Sequence, residues 1–371
     1  MLKVPWYLVN RGHTHCSAIV AIPFLFLRLN INPKALGVYS RMATQQSGLE
    51  DQTASSQPYS VKGKTAIVTG AGSGINFSFA ALLLSKGSNV VIADIALRPE
   101  AQDLLKQYDG SQSPSPKAIF VKTDVTDWPQ LERMFSTAIQ EFGIVDIVCP
   151  GAGIYDPHWS NFWHPPGALG SASRDAPDSG RYASLDINVT HPIRATQLAI
   201  SHFLNPPPGH PKVDPAANPK RVLIITSIAG QNANLNTPIY VAAKHAMNGF
   251  VRSLGPLDAQ LGIRVNAVAP GVIKTPLWTE HPEKMAFLDA SKDEWATAEE
   301  VAGAMLRCLE EPGLGGGKIL EVGASQTRLV EALNDPGPRG AGHTVSRLQE
   351  QYGEVYGWLG GEGWGVVGRG E

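Results

Sequence analysis

Three residues, Ser227, Tyr240 and Lys244, have the types and spacing needed to move a proton on and off a substrate oxygen. Tyr240 and Lys244 stand four residues apart in a segment with a helical pattern, so their side chains share one helix face. We expect the ammonium group to lower the pKa of Tyr240 from its ordinary value of about 10. Ser227 follows the apolar run 222–226, where its hydroxyl can hydrogen-bond the same oxygen. The spacing predicts general acid and base chemistry at a hydroxyl or carbonyl group.

The frame that positions these residues is predicted from short apolar runs that alternate with longer segments of helical periodicity. The runs are apolar on both faces, as in strands buried within a parallel sheet. They lie at residues 65–68, 89–93, 118–121, 145–148, 222–226, 263–268 and 319–322. The helical segments lie at residues 77–86, 128–142, 240–261 and 297–309. This alternation predicts an α/β fold of Rossmann type: one doubly wound parallel sheet of about seven strands, with helices on both faces.

Composition and charge limit the class of partner. The 371 residues are 43% hydrophobic and have a net charge of −2, which gives no electrostatic bias towards nucleic acid. We therefore expect a small-molecule partner and no nucleic acid. The cysteines Cys16, Cys149 and Cys308 form no Cys-x-x-Cys pair, which favours neither a disulfide framework nor a zinc site. His158 and His164 have no carboxylate or cysteine at a ligand spacing, so no metal site is expected.

The chain is predicted to divide into a basic N-terminal extension at 1–59, an α/β domain at 60–330 and a Gly/Pro-rich tail at 331–371. The apolar run at 18–27 is too short for a bilayer, which needs about 20 residues. The extension is either a mitochondrial or signal-like segment, or a misassigned stretch before a true start at Met42. The expected location is cytoplasmic, or mitochondrial if the extension is a transit segment. We expect poor packing of the tail, with one helical candidate at 345–356.

A glycine-rich turn follows the first predicted strand, with the sequence Thr-Gly-Ala-Gly-Ser-Gly-Ile-Asn at 69–76. Glycines at such a turn let the backbone approach a pyrophosphate, and the following helix supplies N–H groups and partial positive charge. Asp94 ends the second strand, where a carboxylate accepts hydrogen bonds from both ribose hydroxyls and repels a 2′-phosphate. Ser73 adds no basic side chain to the turn. Both residues favour NAD over NADP, with a cap or turn carboxylate as the alternative reading of Asp94.

Residues 60–323 resemble the short-chain dehydrogenase/reductase family. The family motif Thr-Gly-x-x-x-Gly-x-Gly matches at 69–76, except that Asn76 replaces the last glycine. Where the family has Asn-Asn-Ala-Gly, this chain has Pro-Gly-Ala-Gly at 150–153, which keeps the Ala-Gly floor and loses both asparagines. Residues 149–155 are similar to fungal members that themselves resemble NAD-linked 15-hydroxyprostaglandin dehydrogenases.

The resemblance implies roles for residues after several strands. Asp124 and Val125 match the adenine contact, and residues 266–275 match the loop around the nicotinamide amide. Asn188 matches the asparagine that completes the catalytic set with Ser227, Tyr240 and Lys244 by holding a water in the proton path. The implied cofactor site is Gly70, Ser73, Gly74, Ile75, Asp94, Asp124, Val125, Gly151, Ala152, Gly153, Tyr240, Lys244, Pro270, Gly271, Ile273 and Thr275. A homodimer or homotetramer is also implied.

The function implied by the resemblance is an NAD(H)-dependent oxidoreductase that interconverts a secondary alcohol and a ketone on an apolar small molecule. A role in secondary metabolism is expected with it. Two alternatives stay open: an NADP-linked biosynthetic ketoreductase, disfavoured by Asp94, and an inactive dinucleotide-binding scaffold, favoured only by the departures at Asn76 and 150–151. Aromatic residues in 155–163 and 278–287 are predicted to form opposite walls of the substrate pocket. Alternatively, the first loop packs on the domain surface or on a second subunit.

Overall fold

The sheet that carries the site is seen in a computed structural model that describes residues 58–111, 116–280, 294–332, 355–357, 359–361 and 364. Within these residues the strands are β1 (Thr65–Thr69), β2 (Asn89–Asp94), β3 (Ala118–Lys122), β4 (Ile147–Cys149), β5 (Lys220–Ile225), β6 (Ile263–Pro270), β7 (Ile319–Gly323) and β8 (Gln326–Leu329). Their order is β3-β2-β1-β4-β5-β6-β7-β8. The chain therefore winds outwards from β1 in both directions, which opens a crevice at the carboxyl ends of β1 and β4.

The last strand, β8, differs from the other seven. It pairs antiparallel with β7, whereas β1 to β7 pair in parallel. All four residues of β8 are exposed, so it has no apolar run of the kind that predicts a buried strand. The doubly wound sheet is thus confirmed, and it has one edge strand more than the sequence pattern predicts.

The helices alternate with the strands along the chain. They are α1 (Gly74–Ser85), α2 (Pro99–Gln107), α3 (Trp128–Phe142), α4 (Ala183–Leu185), α5 (His191–Leu204), α6 (Pro238–Ser253), α7 (Leu257–Leu261), α8 (Pro276–Thr279) and α9 (Ala298–Glu310). A π-helical turn, Asp186–Thr190, joins α4 to α5. The single helix predicted at 240–261 is two helices, because Pro256 has no N–H to continue the hydrogen-bond ladder. None of the helices in the described ranges is long and apolar enough to cross a membrane.

Two apolar clusters cover the two faces of the sheet. One contains Phe79 of α1 and Met305 of α9 against the face formed by Ala66 and Val68 of β1. The other contains Ile67 of β1 on the opposite face, with side chains of α3, α5 and α6. Alternation along a fully buried strand sends successive side chains to opposite faces, and this explains why β1 is buried at every position and apolar at Ala66, Ile67 and Val68.

The described part of the C-terminal segment contacts this second cluster. Leu359 is 8% exposed, and the carbonyl of Trp364 accepts hydrogen bonds from Ser201 Oγ at 3.2 Å and Asn205 Nδ2 at 2.9 Å. The poor packing expected of the tail therefore does not extend to these residues. Of the helical candidate at 345–356, only the last two residues are described, and both are helical. Most of the basic extension predicted at 1–59 lies outside the described residues.

Candidate functional site

The predicted site residues meet at the carboxyl edge of the sheet. They follow the ends of six neighbouring strands, β1 to β6 in chain order. The loop after β6 crosses back to the glycine-rich turn, since a β carbon built on Gly74 would lie 3.6 Å from Thr275 Cγ2. Residues more than 200 positions apart in the sequence are thereby brought to one crevice, as expected for a doubly wound sheet.

Ser227 is fixed at the end of β5 and faces α6. Its Oγ accepts a hydrogen bond from the N–H of Ala229 at 3.1 Å, which caps the short 3₁₀ turn Ile228–Gly230. The same hydroxyl is close enough to Tyr240 to lower the pKa of the phenol through a hydrogen bond. The structure therefore brings these two hydroxyl groups together, as the sequence spacing predicts.

Lys244 lies one helical turn after Tyr240 on the same face of α6. Its Nζ is 5.3 Å from the centroid of the Tyr240 ring and donates a hydrogen bond to the carbonyl of Ile225 at 2.9 Å. Burial lowers the pKa of Lys244 to about 8. The ammonium group of Lys244 therefore gives up its proton at a pH much closer to neutral than an ordinary lysine does.

The pKa of Tyr240 moves in the direction opposite to the sequence-based expectation. Burial is the largest cause and raises the pKa to about 12, while the hydrogen bond from Ser227 lowers it and electrostatic interactions with Tyr155 and Asp156 raise it further. Lys244 does not offset this effect, and burial lowers its own pKa as well. The expectation that Lys244 would lower the pKa of Tyr240 was wrong, since spacing alone does not reveal how deeply the phenol is buried.

Asn188 holds the backbone of the loop after β4 from both sides. Its Oδ1 accepts from the N–H of Ile154 at 3.0 Å, and its Nδ2 donates to the carbonyl of Ile154 at 2.8 Å. A β carbon on Gly153 would lie 3.0 Å from Asn188 Oδ1 and 4.0 Å from Lys244 Nζ. Asn188 and Lys244 therefore meet over Gly153, and the π-helical turn directs the asparagine to this point.

The glycine-rich turn approaches β4 closely. Gly70 and Gly74 have φ angles of +70° and +61°, which glycine adopts without the steric cost of a side chain. A β carbon on Gly70 would lie 2.7 Å from the Cα of Ala152. Ser73 makes no side-chain cap at the start of α1, and the first turn of that helix contains no acidic residue. Its N–H groups thus suit an anionic ligand such as a pyrophosphate, with Ile75 in the same turn.

Asp94 braces the same turn. Its Oδ2 accepts from the N–H of Gly72 at 2.8 Å and its Oδ1 from the N–H of Ile95 at 2.7 Å. A side chain on Gly72 would collide with Ala96, whose carbonyl oxygen would lie 2.2 Å from the β carbon. The carboxylate is only partly buried, which fits a group that also meets a ligand. The predicted cofactor position and the turn-carboxylate reading of Asp94 are therefore compatible.

The other predicted cofactor residues line the same edge. Asp124 is exposed and accepts hydrogen bonds from Thr126, whereas Val125 is buried behind it. After β6, the N–H of Gly271 donates to the carbonyl of Val322 at 2.9 Å. Ile273 and Thr275 are buried, which anchors the loop that begins at Pro270. Each residue therefore lies where the pattern predicts, and its role in cofactor binding stays a prediction.

His191 is a buried histidine that the sequence analysis did not single out. It links the Ala152–Gly153 segment to the π-helical turn. His191 Nδ1 lies 3.2 Å from the carbonyl of Ile187 and its Nε2 lies 3.2 Å from Thr69 Oγ1. Burial lowers the pKa of His191 to about 4, so the ring is neutral at pH 7. The carbonyl can only accept, so Nδ1 holds the proton and Nε2 accepts from Thr69, whose oxygen accepts from the N–H of Ala152 at 3.1 Å. Its position three residues after Asn188 is the available sequence signal.

Arg98 was also missed by the sequence analysis. It forms a two-pronged ion pair with Glu280, and one of its N–H groups lies 2.6 Å from Glu280 Oε1. This pair joins the loop after β2 to the segment that follows α8. Both side chains are exposed, so the pair contributes little to stability by itself.

The aromatic loop at 155–163 contacts the catalytic side at its first residue. The rings of Tyr155 and Tyr240 meet edge to face, with centroids 4.8 Å apart. Farther along, the Trp163 indole N–H donates to the carbonyl of Leu235 at 2.9 Å, and about half of that side chain is exposed. Of the opposite wall predicted at 278–287, the Trp278 side chain and residues 281–287 lie outside the described residues.

Among the described residues, no three His, Cys, Asp or Glu side chains could hold a metal ion.

Comparisons with known proteins agree with this geometry. The family profile described as short chain dehydrogenase matches residues 64–286, more than half of the chain. The chain is 30% identical over 221 residues to bovine (Bos taurus) 15-hydroxyprostaglandin dehydrogenase [NAD(+)], with 58% of this chain and 71% of that protein covered. It is also 30% identical over 245 residues to cis-4-hydroxycyclohexanecarboxylate dehydrogenase of Sinomonas cyclohexanicum, with 65% and 87% covered.

A solved structure supports the fold. The 3-ketoacyl-(acyl-carrier-protein) reductase from Brucella melitensis, complexed with NADH, superposes with a TM-score of 0.55. The alignment covers 71% of this chain and 98% of that one at 22% identity. At this identity the likeness establishes the doubly wound fold and leaves the chemistry to the site residues.

Proposed function

This chain belongs to the short-chain dehydrogenase/reductase family, and from that premise we propose that it is an NAD(H)-dependent oxidoreductase that interconverts a secondary alcohol and a ketone. The observation that supports this most is the Ser227, Tyr240 and Lys244 group, in which two hydroxyls and an ammonium lie side by side in a buried crevice. A general acid and base is needed because the hydroxyl proton must leave as hydride departs from carbon.

The residues of the chain divide the work of proton transfer. In oxidation Tyr240 accepts the proton of the substrate hydroxyl, and Ser227 orients the substrate oxygen towards it. The hydrogen bond with Ser227 lowers the pKa of Tyr240 and offsets part of the effect of burial, while Lys244 would hydrogen-bond the nicotinamide ribose. Asn188, which meets Lys244 above Gly153, provides the polar link towards solvent. In reduction the same groups act in reverse, with Tyr240 as the proton donor.

The residues present fit a nicotinamide dinucleotide, which when bound supplies the hydride acceptor or donor. We propose that the uncapped start of α1, with Gly70, Ser73, Gly74 and Ile75, holds the pyrophosphate. Asp94 would accept from the ribose hydroxyls, and this favours NAD over NADP. The adenine would lie against Asp124 and Val125. The nicotinamide half would contact Gly151, Ala152, Gly153, Tyr240, Lys244, Pro270, Gly271, Ile273 and Thr275.

The substrate is proposed to be an apolar small molecule. Support comes from the edge-to-face contact of Tyr155 with Tyr240, which puts an aromatic ring beside the acid and base.

An NADP-linked ketoreductase is disfavoured by the carboxylate of Asp94. It is also disfavoured because Arg98, the first arginine after β2, is already paired with Glu280. We propose a cytoplasmic homodimer or homotetramer, which light scattering and a fluorescent fusion of the full chain would test.

Substrate screening tests the proposal. Secondary alcohols and ketones are offered to the purified full chain with NAD(H) or NADP(H), and absorbance of the reduced cofactor is followed. We expect turnover with NAD, and a decrease of about 10²–10⁴-fold in Tyr240→Phe, because only the acid/base oxygen is lost. NAD binding, measured by tryptophan fluorescence, should be nearly unchanged in this variant. Tyr108→Phe, at the end of α2, is the matched control and should keep full activity. Full activity of Tyr240→Phe would contradict the proposal.

A further inference from the structure

A buried carboxylate without a hydrogen-bond partner lies three residues after the Gly153 floor. Asp156 is 7% exposed, and neither of its carboxylate oxygens has a partner among the described residues. Leaving such a group unpaired is unfavourable, since the carboxylate loses its hydration without replacement. A carboxylate with no structural bond to make is therefore a candidate for binding something that the chain itself does not supply.

Asp156 is a direct neighbour of the proposed acid and base. Its charge contributes to the raised pKa of Tyr240. In return, the backbone N–H of Tyr240 lowers the pKa of Asp156 without reaching hydrogen-bonding geometry, while burial raises it to about 6. The carboxylate is therefore mostly ionised at neutral pH and can act only as a hydrogen-bond acceptor.

The backbone holds Asp156 in a conformation that a non-glycine residue rarely adopts. Its φ angle is +31°. Asn161 Nδ2 lies 3.5 Å from the Asp156 carbonyl, and Asn161 Oδ1 accepts from the N–H of Trp163 at 3.0 Å. The aromatic loop is thus folded around this position. Strain of this kind persists where the surrounding structure fixes it, and it is concentrated at binding sites.

We propose that Asp156 accepts a hydrogen bond from a second hydroxyl group of the substrate, adjacent to the carbinol that Tyr240 and Ser227 contact. The proposal rests on the proposed function and narrows its substrate class to diols and hydroxyketones with an apolar body. A hydroxyl fits better than an ammonium group, because a neutral donor pairs with the carboxylate without the cost of dehydrating a second charge. Tyr240 of α6 lies next to Asp156, and Tyr155 and Lys244 both contact the ring of Tyr240.

The consequence is discrimination between diols and simple alcohols. A substrate that supplies the hydroxyl satisfies the carboxylate, whereas an analogue without it leaves the carboxylate unpaired in the complex. Sites that depend on such a bond reject the deficient analogue strongly. We expect kcat/KM for a diol to exceed that for the matched mono-alcohol by at least about 10-fold.

The test uses the full chain with NAD and two matched substrates, 1-phenylethanol and 1-phenyl-1,2-ethanediol. Asp156→Ala should remove the preference for the diol, mainly through a higher KM for the diol, so that kcat/KM becomes equal for the two substrates within about 3-fold. Asp156→Asn keeps an acceptor of the same size and should retain part of the preference. A purely structural role for Asp156 would instead lower the melting temperature and the activity on both substrates together.

Binding provides a second measurement that does not depend on turnover. The affinity of each alcohol for the NAD-saturated chain is measured by tryptophan fluorescence, in the wild type and in Asp156→Ala. Stronger diol binding that is lost in Asp156→Ala supports the proposal even where neither compound is oxidised, a result that would count against the proposed function alone. Equal binding of both alcohols by the wild type, or a preference for 2-amino-1-phenylethanol over the diol, would overturn it.

Discussion

The side-chain amide of Asn76 occupies the space in which a side chain at Gly151 would lie. Asn76 Nδ2 donates a hydrogen bond to the carbonyl of Gly151 at 2.9 Å. A β carbon on Gly151 would lie 2.2 Å from Asn76 Oδ1, which is closer than any real contact. The two departures from the family pattern are therefore one exchange: an asparagine on α1 and a glycine after β4 replace a glycine on α1 and an asparagine after β4. This hydrogen bond ties α1 to the loop after β4, so the departures at Asn76 and Gly151 do not favour an inactive scaffold.

This exchange can be tested as a double-mutant cycle. Gly151→Ala should lower the free energy of unfolding by about 1–3 kcal/mol and weaken NAD binding, because the new methyl group collides with Asn76. The double variant Asn76→Gly with Gly151→Ala should regain NAD affinity relative to Gly151→Ala alone, because the added methyl group no longer meets the amide. Gly303→Ala is the matched control, since an added β carbon there meets nothing within 4 Å. Additive effects of the two substitutions in thermal melts and NAD titrations would refute the coupling.

Asp94 should determine the choice of cofactor. We expect NAD(H) to bind more tightly than NADP(H), and Asp94→Ala to narrow the difference because the charge that repels a 2′-phosphate is lost. Asp94→Ala should also weaken NAD, since Gly72 loses the acceptor of its N–H. Titration of both cofactors by tryptophan fluorescence measures this, with Asp103→Ala on the exposed face of α2 as the control. Equal affinities of the wild type for both cofactors would exclude the assignment.

His191 should make stability depend on pH in an acidic window. Its pKa is about 6.5 in an unfolded chain and about 4 when buried, so between these values the unfolded chain binds more protons. Stability is therefore lost as the pH falls from about 6.5 to about 4, by on the order of 3 kcal/mol. Denaturant titrations at several pH values should show a smaller loss for His191→Gln. The exposed His245→Gln should match the wild type, and identical slopes in all three proteins would contradict the effect.

The aromatic loop gives a prediction that separates its two interpretations. If the loop lines the pocket, Trp159→Ala or Trp163→Ala should raise KM for a bulky substrate and hardly change NAD affinity. The partial burial of Trp159 makes it the more sensitive position, whereas Trp163 is 51% exposed. If the loop instead forms a subunit contact, the same changes should alter the elution volume in size-exclusion chromatography and leave KM unchanged.

A chain that begins at Met42 should fold and bind NAD as the full chain does. Among the residues from 58 onwards that the structure describes, the first strand starts at Thr65, and the buried residues of the apolar cores begin at Val61. Melting temperatures of both chains, with and without NAD, measure this. A large loss of stability on removal of the first 41 residues would mean that the apolar run at 18–27 packs on the domain.

Local sequence determined the frame of this protein and the identity of its reactive groups. The strand runs, the glycine-rich turn and the four-residue spacing of Tyr240 and Lys244 are patterns within a few neighbouring residues, and secondary structure follows from such periodicities. The edge strand β8 lacked this signal, because all of its side chains are exposed. It could be recognised only from its pairing with β7.

Tertiary structure decided which distant groups became partners and how strongly each was desolvated. Asn76 and Gly151 are 75 residues apart, so their exchange could be read only once α1 lay beside the loop after β4. The burial of Tyr240 reversed the direction expected for its pKa, and the burial of Asp156 produced an unpaired carboxylate that no spacing indicated. Dehydration depends on every element packed around a group, whereas a sequence pattern reports only its neighbours along the chain.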